Sequence, residues 1–128
     1  MRYLGIDFGL RHLGLSLADG PLAQPLVEKT YQSMPQILGF LTHLCQEQAI
    51  DQIVIGLPEG QLAPVIKEFA AELNILTNIN VVFQDETLTT KEAQAKLFAA
   101  HAPQKKRRLD HRVSAALILQ DYLDTIKK

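Results

Sequence analysis

The stretch Arg2-Tyr3-Leu4-Gly5-Ile6-Asp7-Phe8-Gly9-Leu10-Arg11-His12-Leu13-Gly14-Leu15-Ser16-Leu17 decides the architecture. Residues 2–8 and 13–17 are short and apolar, and Gly9-Leu10-Arg11-His12 between them reads as a tight turn, so the segment predicts two paired strands. Asp19-Gly20-Pro21 closes the second strand. Residues 25–31 predict a third through Leu26, Val27, Thr30 and Tyr31, which completes a meander. From Ser33 the period changes. Met34, Ile37, Leu38, Leu41, Leu44 and Cys45 recur at the spacing of one helical face, and Ser33 with Gln36 has the form of a capping box.

Strands and helices then alternate. Residues 51–57 form a β-branched run ended by Pro58, the pattern of a buried strand. Leu62, Val65, Ile66, Phe69, Ala70 and Leu73 return to helical spacing, and residues 79–83 predict another buried strand running into Gln84-Asp85-Glu86. Thr89 with Glu92 opens a predicted helix through Ala93, Leu97 and Phe98; a basic linker follows, and residues 110–126 predict a final helix. The expected fold is α/β: a mixed sheet of about five strands, antiparallel meander first and parallel strands after, flanked by helices in a single domain over residues 1–128. Ligands of such sheets meet the carboxyl ends of the strands.

Composition narrows the function classes. The chain has 128 residues, 47% of them hydrophobic, enough for a core without disulfides or a structural metal. Its single cysteine, Cys45, can build neither a disulfide framework nor a cysteine-based zinc site, which fits a reducing compartment. No signal-peptide pattern follows Met1, and no stretch reaches the ~18 apolar residues of a membrane span, so a cytoplasmic location without membrane contact is expected. With 13 Lys plus Arg against 14 Asp plus Glu, the chain would not coat nucleic acid by charge alone, although a local basic patch would bind it.

Asp7 is the most informative residue, because an unpaired carboxylate between Ile6 and Phe8 in a buried strand costs several kcal/mol. Gly9 and Gly14 beside it let the backbone approach a phosphate or make a turn; the alternative for Asp7 is a strand-end carboxylate bonded to turn amides. Asp85-Glu86 stands at a second strand end, where one of the pair serves the same site or caps the next helix. Asp110-His111 opens the last helix, with Asp110 also a natural N-cap. Carboxylates at two strand ends and one helix start are what hard divalent ions and two-metal phosphoryl chemistry require, and a histidine ligand suits Mn²⁺. Lys105-Lys106-Arg107-Arg108, read by itself as a solvated linker, is placed to grip phosphates beside such a site. His12, in the first turn near Asp7, is placed to touch phosphate but reads first as a surface residue, and His43 and His101 carry no assignment.

Four segments, Leu4-Gly5-Ile6-Asp7-Phe8-Gly9, Ile53-Val54-Ile55-Gly56-Leu57-Pro58, Asp85-Glu86-Thr87-Leu88-Thr89-Thr90 and Ser114-Ala115-Ala116-Leu117-Ile118-Leu119-Gln120-Asp121-Tyr122-Leu123, resemble in order the signature blocks of the YqgF (RuvX) family. The resemblance covers essentially the whole chain. It implies an RNase H-like fold related to the RuvC resolvases. It also implies a cytoplasmic nuclease using Mg²⁺ or Mn²⁺, with processing of the 5′ end of the small-subunit ribosomal RNA precursor as the favoured role. Carried over by residue, it makes Asp7, Glu86 and Asp110 catalytic, places Asp7, Asp85, Glu86, Asp110 and His111 around metal, and lets Gly9, Arg11 and the basic run Lys105, Lys106, Arg107 and Arg108 bind nucleic acid.

Three departures stand out. The family's final aspartate falls at His111, so either His111 replaces it or Asp110 reaches in; Thr87 stands where arginine is usual; and the loop after Gly-Leu-Pro is shortened to Glu59-Gly60-Gln61. Structured RNA is the expected partner, with branched DNA and a Holliday-junction resolvase activity as the alternative. A nucleic-acid-binding module weakened in catalysis by the changes at Thr87 and His111 is a further reading. A sugar-kinase or actin-like ATPase, which shares the D-x-G-x-x-x-x-G loop at Asp7, Gly9 and Gly14, needs two such domains and is rejected by length. Oligomeric state is not readable from the sequence.

Overall fold

The computed structural model describes residues 1–85 and 110–126. Their elements are β1 (Tyr3–Phe8), β2 (His12–Ala18), β3 (Gln24–Thr30), α1 (Met34–Glu47), β4 (Gln52–Leu57), α2 (Leu62–Thr77), β5 (Asn80–Asp85) and α3 (His111–Ile126). The sheet order is β3-β2-β1-β4-β5. β1, β2 and β3 form the antiparallel meander, while β4 and β5 add in parallel, as the sequence predicts. The helix expected after Thr89 lies outside the described residues.

Alternation along the strands divides the residues between two cores. Leu4, Ile6 and Phe8 of β1, Leu13 and Leu15 of β2, and Ile53 and Ile55 of β4 face α1 and α2, where they pack with Ile37, Leu41, Phe69 and Leu73. The Phe8 and Phe69 rings meet at 4.8 Å between centroids. On the opposite face α3 lays Ile118, Leu119 and Leu123 against Ala18 and Val54. Small residues on β1 and β2 let this helix come close. A Cβ on Gly5 would stand 2.8 Å from the Leu119 Cβ and 2.9 Å from the Ala115 carbonyl oxygen. The buried Ser16 hydroxyl, cross-strand from Gly5, donates to that same carbonyl at 2.8 Å.

Differences from the sequence expectation are local. His12, expected in the turn, is the first residue of β2, and the third strand ends at Thr30. Tyr31 instead clamps the β1–β2 turn, its N–H donating to the Arg11 carbonyl at 3.0 Å and its hydroxyl to the Gly9 carbonyl at 2.5 Å. Pro25 is accommodated because β3 is an edge strand of the sheet. Ser33 caps α1 by accepting the Gln36 N–H at 3.3 Å, but the Gln36 side chain reaches back to the Gln32 N–H at 2.7 Å rather than to the cap residue itself. α1 ends with Ala49 at φ 52°, the Ile50 N–H on the Cys45 carbonyl and the Ala49 N–H on the Gln46 carbonyl, the bonding of a Schellman cap without its usual glycine.

Candidate functional site

The carboxyl ends of β1, β4 and β5 lie along one edge of the sheet, since the three strands run parallel. Asp7 is the penultimate residue of β1 and, by alternation with Gly5, faces α3. Its partner across the β1–β2 ladder is Gly14. A Cβ on Gly14 would fall within the His111 carbonyl group, so the missing side chain is what lets the start of α3 rest on β2. Seated there, the His111 ring reaches Asp7: Nδ1 lies 3.1 Å from Asp7 Oδ2. Because a carboxylate only accepts, this contact makes Nδ1–H the donor, and in the neutral ring the lone pair is then on Nε2.

The pair joins a buried partner to an open one. The Asp7 side chain is 14% exposed and the His111 side chain 41%. Burial pushes the Asp7 carboxyl above its ordinary value, with Glu28 adding to the rise, while the hydrogen bond and charge of His111 oppose it. The His12 ring lies beside His111, nearly parallel at 13° with centroids 6.0 Å apart. Thr30 Oγ1 is 3.3 Å from His12 Nδ1, and Glu28 Oε1 is 4.0 Å from it. His12, for which the sequence left a surface role and a phosphate contact near Asp7 open, therefore borders the site. Its parity with Gly14 and Ser16 along β2 was the signal available in the sequence.

Asp110 takes a different direction from His111. Its Oδ1 accepts the Arg112 backbone N–H at 2.8 Å, which makes it the N-cap of α3. Its two oxygens also receive the Arg112 guanidinium, at 3.2 Å from Nε to each and at 2.8 Å from Nη2 to Oδ2. The Arg112 contacts hold the Asp110 carboxyl below the usual carboxylate range. Of the two helix-start residues weighed from sequence, it is thus His111 that meets Asp7. Asp85 closes β5 opposite Leu57 of β4; its parity is that of Val81, which packs in the α1–α2 core, whereas Val82 packs against α3. Gly9 and Arg11 lie in the Tyr31-clamped turn at the same sheet edge as Asp7. Glu86, Thr87 and the run Lys105, Lys106, Arg107 and Arg108 lie outside the described residues.

Among the described residues no group of three or more His, Cys, Asp or Glu side chains is gathered to hold a metal ion. What the site offers is the Asp7 carboxylate and, on the ring that donates Nδ1–H to it, the second imidazole nitrogen of His111, Nε2, both donor types that divalent ions accept. That donor chemistry fits such an ion as part of its ligand set. Nor is any described helix long and apolar enough to cross a membrane.

Comparison with known proteins bears on the family and the fold. Residues 1–125 match the family model described as RuvX, Holliday junction resolvase. A relative from Syntrophus aciditrophicus, named "Putative pre-16S rRNA nuclease", is 38% identical over all of this chain and 91% of its own length. One of the same name from Protochlamydia amoebophila is 39% identical over 97% of this chain and 93% of its own. Among solved structures, RuvC of T. thermophilus in complex with a Holliday junction substrate superposes with a TM-score of 0.67 at 16% identity, covering 99% of this chain and 96% of that one. The fowlpox virus Holliday junction resolvase does so with a TM-score of 0.62 at 10% identity, covering 98% of this chain and 99% of that one. These likenesses show the fold to be that of the RuvC-like resolvases, the RNase H-like mixed sheet expected from sequence. With one family model spanning nearly its whole length and relatives well above 30% identity, the chain belongs to the RuvX family.

Proposed function

We propose that this chain is a metal-dependent nuclease that hydrolyses phosphodiester bonds, acting in the cytoplasm on the 5′ end of pre-16S rRNA. The observation that carries the reading is the meeting of Asp7 and His111 at the carboxyl edge of the sheet, on a chain of the RuvX family. The relatives named for pre-16S rRNA support RNA as the substrate. Asp7, His111 and Glu86 would hold the ion, with Asp85 and Asp110 as the remaining carboxylates of the sequence motif. The imidazole nitrogen favours Mn²⁺ over Mg²⁺.

When bound, the ion supplies a Lewis acid and a water of lowered pKa. The protein supplies the rest. Asp7 is held partly buried on a central strand, so its oxygens are fixed before substrate arrives. His111 is oriented by its Nδ1–H bond to Asp7, which leaves Nε2 as the ring nitrogen that would ligate or accept a proton. Arg11 in the clamped turn and the four cations Lys105, Lys106, Arg107 and Arg108 bind backbone phosphates.

A second reading, a resolvase acting on branched DNA, is favoured by the description of the matching family model. A direct comparison separates the two: a 5′-extended precursor RNA and a four-way DNA junction, each with Mn²⁺, Mg²⁺ or chelator. Metal-dependent trimming of the RNA is the expected result. Cleavage of the junction alone would move the assignment to a resolvase, and salt-dependent binding without cleavage of either would make the chain a binding module.

A further inference from the structure

The first turn of α3 carries a charge that works against its own helix. Arg112 follows His111 at the positive end of the helix dipole, where a cation is disfavoured, and the turn holds no acidic residue. The offset comes from Asp110, immediately outside the helix, which takes Nε and Nη2 of Arg112 and fixes the plane of the guanidinium. Exposed pairs of this kind contribute little to stability, and both side chains are well exposed, at 47% and 37%. A residue unfavourable for its helix and weakly useful to the fold, set next to the residue that touches Asp7, is the kind of local conflict that marks a functional position.

We propose that Arg112 is a phosphate-binding residue of the site, and that Asp110 is the positioning residue that aims it. The inference rests on the nucleic-acid reading above and deepens it. Asp110 occupies the Nε–Nη2 edge of the guanidinium, and among the described residues none is bonded to Nη1, which leaves the Nη1–Nη2 edge open. That open edge matches the paired oxygens of a phosphodiester. Glu28, whose Oε1 lies 4.0 Å from Nδ1 of the His12 ring beside His111, also acts by its charge on both Asp7 and Arg112. Around the Asp7–His111 pair, Asp7, Glu28 and Asp110 are three carboxylates that would repel a polyanion. Arg112 follows His111 in the chain and Arg11 precedes His12, so each ring of the near-parallel imidazole pair has an arginine as its chain neighbour.

The test is binding of a fluorescein-labelled single-stranded oligoribonucleotide in chelator, followed by anisotropy across a salt series, so that the readout does not depend on cleavage. For Arg112→Ala the expected result is about tenfold weaker binding and a log Kd against log salt slope shallower by about 0.7. For Arg112→Lys the slope is retained and the affinity only partly recovered, because lysine keeps the charge without the fork. Thermal melting of both variants close to wild type accompanies this. An unchanged slope and affinity for Arg112→Ala, or no binding by the wild-type chain at low salt, would overturn the proposal. Failure of the nuclease reading is a separate result: it appears as absence of cleavage by a wild-type chain that still binds.

Discussion

Replacing Gly14 by alanine tests how the site is assembled. The added methyl would coincide with the His111 carbonyl group and stand 2.7 Å from the His111 Cβ. Because the obstructing atoms are backbone, α3 must lift from β2 or the strand must bend. Overpacking of this kind costs about 1–3 kcal/mol. At about 2 kcal/mol, a chain of this size would lose about 8 °C in Tm. The functional effect is larger. A shift of about 1 Å at the helix start takes the 3.1 Å contact between His111 and Asp7 beyond hydrogen-bonding distance, and misplacement of that order lowers turnover by about a hundredfold. Gly20→Ala is the control, since nothing lies within 4 Å of a Cβ there. Thermal denaturation and metal-dependent cleavage would be measured on all three proteins. A Gly14→Ala protein that melts within 1–2 °C of wild type, roughly the resolution of the assay, and cleaves at the wild-type rate would refute the helix-docking argument.

Other predictions follow from the same physics. Gly39 lies within α1 with open space around a Cβ, so Gly39→Ala should stabilise by about 0.5–1 kcal/mol in urea denaturation. Ala49 holds the left-handed position of the α1 cap, and Ala49→Gly should stabilise by about 1 kcal/mol in the same assay. Because burial raises the Asp7 carboxyl above 3.8, the folded chain binds that proton more tightly than the unfolded one, and stability falls as pH rises from 3.8 through the folded value. Asp7→Asn removes this dependence, so it should melt higher than wild type at pH 7, with the difference shrinking as the pH falls toward 3.8.

The layered architecture was readable because each strand and helix announces its own period. The alternation that sends Leu4, Ile6 and Phe8 to one core sends Gly5 and Asp7 to the other face, and the sequence carries both. What escaped is what depends on contacts between distant segments. Gly14 reads locally as a turn or phosphate glycine, but its role is set by His111, far away in sequence. The choice between Asp110 and His111 was open for the same reason: both sit at one helix start, and only the docking of that start on Gly14 turns His111 toward Asp7 and Asp110 toward Arg112. Tyr31 behaves alike, an apparent strand residue whose hydroxyl instead secures the turn that carries Gly9 and Arg11.

The proposed metal-dependent nuclease stands or falls on the Asp7–His111 pair. The most direct measurement is cleavage of 5′-extended pre-16S rRNA by wild type, Asp7→Asn and His111→Ala at saturating Mn²⁺, with Mn²⁺ binding to each protein followed in parallel. The account predicts cleavage by wild type that chelator abolishes, and loss of both cleavage and ion affinity in the two variants. Cleavage and Mn²⁺ binding undiminished in Asp7→Asn would contradict it.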